Sequence, residues 1–181
     1  MNTFSKNIIL DRDGVINEDP MGYISRPEDW HAITGSLEAI AQLNRAGWHV
    51  FVATNQSGIG RGFYDLEAMH AIHEKMINEL AAVGGYIEEI FFCPHNPDEN
   101  CDCRKPAPGL FVQLKEKYRI DLTSTIFIGD KLSDIDAARA VGCQPMLVAT
   151  GYGQKTHQDY PDLNVPFFAN LKAAVDYILS L

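Results

Sequence analysis

Four times in this chain a short apolar run stops abruptly at a polar cluster. Ile8, Ile9 and Leu10 meet Asp11-Arg12-Asp13-Gly14, and residues 48–53 meet Thr54-Asn55-Gln56-Ser57-Gly58. Residues 87–92 meet Cys93-Pro94-His95, and residues 125–128 meet Gly129-Asp130-Lys131. Runs this short and this apolar read as strands buried on both faces. A fifth follows at 145–148 and a short sixth at 167–168. Stretches with helical spacing lie between them: Leu37, Ile40, Ala41 and Leu43, then Leu66, Met69, Ile72, Met76, Leu80 and Val83, then Leu110, Phe111, Leu114 and Tyr118. The alternation predicts an α/β fold, a Rossmann-like, doubly wound and mostly parallel sheet with helices on both faces. Ligands of such sheets bind beyond the carboxyl ends of the strands, so the polar clusters are expected along one edge.

Local signals bound the helices. Ser36 is a candidate N-cap for the first, which Gly47 stops, and Asp65 caps the second. Pro108 opens the third, Asp134 or Ser133 caps a fourth running to Val141, and a last one spans about 170–179. Residues 14–34 read as a loop broken by Pro20, Gly22 and Pro27, too short for a separate cap domain, and 1–181 reads as one domain. His70 and His73 have no second ligand pair and read as surface or half-buried. Cys143 reads as a small buried residue.

Charge limits what the edge can bind. A net charge of −9 argues against nucleic acid as the main partner, while a small anion needs only local cations. No apolar run approaches the length of a membrane span, and the first residues lack an apolar signal core. A cytoplasmic protein without membrane contacts is expected, and with no apolar helix evidently exposed, a monomer.

Each cluster carries its own chemistry. Residues i and i+2 of an extended chain project to one side, so Asp11 and Asp13 can point into one crevice. Two close carboxylates need a cation or a proton between them, which suggests a divalent metal, acid–base work, or both. Taken alone, D-x-D-G is also an ordinary turn. The glycines after Thr54-Asn55-Gln56-Ser57 let a backbone approach an oxyanion. Cys93, His95, Cys101 and Cys103, spaced C-x-H-x5-C-x-C, match a closed tetrahedral zinc site, structural because no position is open. Arg104 and Lys105 follow directly, a candidate phosphate clamp on a stiffened segment. Asp130 stands at a strand tip, where capping does not explain it. Acids for magnesium beside donors for an oxyanion are what phosphoryl transfer requires.

D-R-D-G, T-N-Q, R-K-P and G-D-K-x-S-D, in this order over nearly the whole chain, resemble the four motifs of the haloacid dehalogenase-like phosphohydrolases. D-R-D-G-V-I-N, T-N-Q-S-G-I-G-R-G and C-x-H-x5-C-x-C-R-K-P are similar, more narrowly, to the zinc-containing D-glycero-D-manno-heptose-1,7-bisphosphate 7-phosphatases. The resemblance implies a phosphatase acting on a phosphorylated sugar, in the supply of nucleotide-activated heptose for lipopolysaccharide core. It implies that Asp11 attacks phosphorus and forms an aspartyl-phosphate. Asp13 would start protonated, protonate the leaving oxygen and then activate water. Magnesium would be held by Asp11, the Asp13 backbone carbonyl and Asp130. Thr54 and Asn55 would bind phosphate oxygens, Lys105 would neutralise charge, and Asp134 would orient Lys105 or the metal's waters. Tyr23, Gln56, Ser57, Arg104 and Lys131 would touch the sugar or its second phosphate. Histidinol-phosphate phosphatases carry a similar zinc loop and are the alternative, disfavoured by the lack of a second catalytic domain. A phosphate-binding protein without turnover is a third reading, against which the Asp11/Asp13 pair speaks.

Overall fold

The structure, a computed structural model, describes residues 6–181, so most of the segment read above for a signal core lies outside the described residues. The sheet contains β1 (Asn7–Leu10), β2 (His49–Asn55), β3 (Glu89–Cys93), β4 (Ile126–Gly129), β5 (Gln144–Val148) and β6 (Phe167–Phe168). Their order is β3-β2-β1-β4-β5-β6, and every pairing is parallel. The chain builds outward from β1 to β3, then returns to pair β4 with the other side of β1. Ile8 sits against Ile126 and Leu10 against Ile128. The carboxyl ends of β1 and β4 therefore flank the point where the strand order reverses, the crevice in which such sheets bind ligands.

Strand geometry sorts the core into two layers, because successive side chains point to opposite faces. Ile8, Leu10, Val50, Val52 and Ile128 pack under α1 (Ser36–Arg45), α2 (Leu66–Ala82) and α6 (Leu171–Ser180), meeting Leu37, Ile40, Ile72, Met76 and Val175. Ile9, Phe51, Ala53 and Phe127 pack under α3 (Gly109–Tyr118) and α4 (Leu132–Ala140), meeting Leu110, Phe111, Leu114 and Ala138. All four residues of β1 are buried, so its sequence shows no polar alternation. Each Leu- or Phe-sized side chain buried here contributes about 1.5–3 kcal/mol. No helix among the described residues is long and apolar enough to cross a membrane.

Local expectations shift in four places. Gly35, at φ 83°, is the N-cap of α1, not Ser36; the Ser36 hydroxyl instead donates to the Ile16 carbonyl at 2.5 Å and ties the long loop down. The N-cap of α4 is Lys131, because the Asp134 carboxylate reaches back to two backbone N–H groups from inside the helix. β3 starts at Glu89, two residues later than its apolar run. A further helix, α5 (Gly153–Asp159), follows β5 where the sequence reads as loop.

Candidate active site

A cavity of about 550 Å³ opens over the carboxyl ends of β1, β2 and β4. Asp13, Tyr23, Asn55, Gln56, Ser57, Arg104, Lys105 and Lys131 line it, together with Asp19, Ser133 and Tyr152. Behind this wall lie Asp11, Thr54, Asp130 and Asp134, all nearly or fully buried.

Lys105 is the hub. Its Nζ lies 2.7 Å from Asp134 Oδ1, 3.1 Å from Asp11 Oδ1 and 2.7 Å from the Ala53 carbonyl. Burial disfavours its charge, but the two carboxylates outweigh that, and its pKa moves up. Asn55 fixes the lysine's position from outside. Its side-chain amide donates to the Lys105 carbonyl at 3.0 Å and accepts the Lys105 N–H at 3.0 Å. Asn55 thus anchors the Lys105 peptide, and its second amide N–H is left for a ligand of the cavity it lines.

Asp130 follows β4 and is fully buried. Its Oδ2 accepts the Tyr152 N–H at 2.8 Å, and its backbone carbonyl accepts the Thr156 hydroxyl at 2.8 Å. Gly14, at φ +84°, and Gly151, at φ +60°, press against the carboxylate, and a Cβ on either would collide with it. Oδ1 is buried and has no hydrogen-bond partner. Burial, with Asp134 and Asp11 nearby, pushes its pKa well above the usual range even though Lys131 opposes the shift. Asp11 is raised in the same direction, by burial first, with Lys105 working against it. One ligand atom each from Asp11, Asp130 and Asp134 lie within 4.8 Å of one another. Buried acids that repel, one with an orphaned oxygen, form a donor set that can hold a hard cation. Asp134 is the poorest ligand of the three. Its Oδ1 holds Lys105, and its Oδ2 accepts the N–H groups of Asp130 and Lys131, both at 3.1 Å.

The Asp13 carboxylate stands outside this group of acids, on the cavity wall, where Arg12 Nε and Nη2 grip its two oxygens at 3.0 Å each. Asn17 donates to Oδ1 at 2.9 Å, and Gln56 Nε2 donates to Oδ2 at 2.9 Å. Burial raises its pKa, but the Arg12 charge and these hydrogen bonds reverse the sign and hold it below the usual carboxylate value. Asp13 is therefore ionised in this state, against the expectation that it starts protonated. Gln56 Nε2 also donates to Thr54 Oγ1 at 3.0 Å, and Tyr64 donates to Gln56 Oε1 at 2.5 Å.

Cys93, at the end of β3, meets His95, Cys101 and Cys103 in the loop that delivers Arg104 and Lys105. Their ligand atoms lie within 4.8 Å of one another, and the set can hold a metal ion.

The HAD-hydrolase-like family model matches residues 102–174. The D-glycero-beta-D-manno-heptose-1,7-bisphosphate 7-phosphatase of Pseudomonas aeruginosa is 53% identical over 149 residues, covering 82% of this chain and 84% of that protein. The enzyme of the same name from Bordetella bronchiseptica is 50% identical over 151 residues, covering 83% and 84%. The crystal structure of the D,D-heptose 1,7-bisphosphate phosphatase from B. bronchiseptica, complexed with magnesium and phosphate, superposes with a TM-score of 0.93 at 45% identity, covering 97% of this chain and 98% of that one. The chain belongs to the heptose-bisphosphate 7-phosphatases of the haloacid dehalogenase-like superfamily.

For a phosphatase of this family, the sequence reading names half of the cavity wall and the four residues behind it, and misses Arg12, His73 and Asp19. Arg12 stands between the two acids, a cation at the end of an apolar run, which is itself a sign of a buried partner. His73 is buried, not half-exposed; it falls on the stripe of Met69, Ile72, Met76 and Leu80, where helical spacing alone puts it inside. Asp19 reaches Lys131 Nζ at 3.2 Å, and the same Nζ lies 4.7 Å from the centre of the Tyr152 ring. Neither partner carries a signal in the sequence.

Proposed function

We propose that this protein removes the 7-phosphate of D-glycero-β-D-manno-heptose 1,7-bisphosphate, on the route to nucleotide-activated heptose. The observation that carries this reading is Arg104. Its Nη1 is buried without a hydrogen-bond partner, on the wall of the cavity that also holds Asp13 and Lys105. A monophosphate occupies one anion seat; a guanidinium donor without a partner, on a cavity wall that also carries Lys131, offers a second.

Asp11 is the nucleophile. Its Oδ1 takes the Arg12 N–H at 2.8 Å and Lys105, which leaves Oδ2 for attack. The bond from Oδ2 to phosphorus forms, the bond from phosphorus to the sugar oxygen breaks, and Asp13 gives that oxygen its proton. A phosphate dianion beside Asp13 raises its pKa, so the proton is taken up as substrate binds. Asp13 then takes a proton from water, which attacks the aspartyl-phosphate and releases phosphate. Thr54, Asn55 and Ser57 hold the phosphoryl oxygens, Lys105 beside Asp11 neutralises charge on the transferring group, and Tyr23 and Gln56 face the sugar. Magnesium, held by Asp11, the Asp13 carbonyl and Asp130, neutralises charge on the transferring group when bound.

Zinc is the ion proposed for the four-residue loop set. Thiolates on one tetrahedral zinc lie about 3.8 Å apart. The Cys101 sulfur is 3.5 Å from that of Cys93 and 3.6 Å from that of Cys103, and His95 Nδ1 is 3.2 Å from Cys103. We read the enzyme as a cytoplasmic monomer whose residues 1–181 form one catalytic domain, with 93–103 as an insertion.

The test is phosphate release with magnesium from the α and β heptose bisphosphates and from histidinol phosphate, side by side. The β-heptose substrate is expected to dominate. Preference for histidinol phosphate would move the protein to amino-acid biosynthesis, and no turnover of any would remove the catalytic reading. Asp11→Asn is expected to lose at least about a thousandfold in turnover with an unchanged circular dichroism spectrum.

A further inference from the structure

We propose that His73 is a positioning residue for Asp13, acting through Arg12. The inference rests on the acid–base role given to Asp13 above. Arg12 is almost fully buried, and its guanidinium is oriented from both ends. One edge, Nε and Nη2, forms the two-pronged grip on Asp13. The remaining terminal nitrogen, Nη1, lies 3.1 Å from His73 Nε2. An arginine only donates, so Nε2 is the bare nitrogen of a neutral ring and the ring proton sits on Nδ1. Burial, followed by the Arg12 charge, lowers the His73 pKa to about 3, in keeping with that neutral form.

His73 is carried on α2, whose buried stripe is anchored in the core, and the Phe92 ring packs near it. The acceptor at Nε2 thus has a fixed place. Gln56 Oε1, 3.2 Å from Nη2, is the other lateral stop. Without the histidine, one buried guanidinium N–H loses its acceptor, and the planar group turns to regain one. Turning takes the prongs off Asp13, and the carboxylate no longer starts from one defined position. His73 is not on the wall of the active-site cavity, so its effect falls on the proton-transfer step.

Two substrates separate this effect from plain loss of structure. A sugar phosphate leaves as an alkoxide and needs the proton; p-nitrophenyl phosphate leaves as a phenolate and does not. In His73→Leu, kcat/KM for the heptose bisphosphate is expected to fall at least tenfold and that for p-nitrophenyl phosphate to stay within twofold. His73→Gln, which returns an acceptor, should recover most of the loss. A parallel fall for both substrates, or no fall, overturns the proposal. Asp13→Asn in the same assay must show the same split; if it does not, the acid–base reading itself fails. Nitrogen-15 NMR of the wild-type protein needs no variant to fold. It should show His73 with a bare Nε2 from pH 5 to 8, and a proton on Nε2 overturns the contact.

Discussion

Asp11 and Asp13 are two residues apart and chemically opposite. One sits among acids and a lysine and is raised; the other sits on an arginine and is lowered. The difference comes from what β2 and α2 bring to each. Lys105, tied to β2 by Asn55, serves the first, and Gln56 and His73 back the arginine that serves the second. His73 also makes stability depend on pH. Its folded pKa of about 3 lies below the ordinary value of 6.5. Between these values the unfolded chain binds a proton that the folded protein does not, so stability falls as pH drops from 6.5 toward 3. The slope is about 1.4 kcal/mol per pH unit, so the loss reaches about 2 kcal/mol at pH 5. Urea unfolding of the wild type and His73→Gln at pH 7 and pH 5 measures this directly. The variant should lose about 2 kcal/mol less on acidification, and equal losses would show that the histidine takes up its proton in the folded state.

The loop between β3 and α3 joins two functions in one segment. It gathers Cys93, His95, Cys101 and Cys103, and two residues later it presents Lys105 to Asp11. If the set holds the proposed zinc, Cys101→Ser should lower the zinc content, read by elemental analysis, and reduce turnover by displacing a lysine that is not itself mutated. Full zinc in the variant would sink the ligand set. The clustering of this loop was readable in the sequence because cysteine and histidine at such short spacing are rare, and the strands were readable because each is an apolar run with a polar stop. What was not readable depends on tertiary contacts. The stretch GQKTHQD has no apolar period, yet α5 forms because Thr156 donates to the Asp130 carbonyl and Gly153 packs inside. Ser36 has the chemistry of a cap, but the Ile16 carbonyl claims its hydroxyl. The second duty of Asn55 was hidden for the same reason: nothing in its sequence position shows that its amide also pairs with the Lys105 peptide.

The topology collects charge that the fold alone does not neutralise. Bringing β1 and β4 together sets Asp11, Asp130 and Asp134 side by side, with Lys105 and Lys131 as the nearby cations. The site is therefore strained in favour of a ligand, and cation binding should stabilise the protein as a whole. A ligand at one hundred times its dissociation constant adds about 2.7 kcal/mol to the folded state. For a chain of this length that is roughly 5–10 °C in Tm. Differential scanning fluorimetry with and without magnesium, zinc being left in place, should show a rise of this size. Asp130→Asn provides the opposing arm. It removes a buried charge that burial and two neighbouring carboxylates disfavour, while its amide oxygen can still accept the Tyr152 N–H. The variant should melt at or above the metal-free wild type, show no magnesium shift, and turn over poorly. A variant that melts lower and still responds to magnesium would mean that the cation is held elsewhere and that Asp130 is a structural acid.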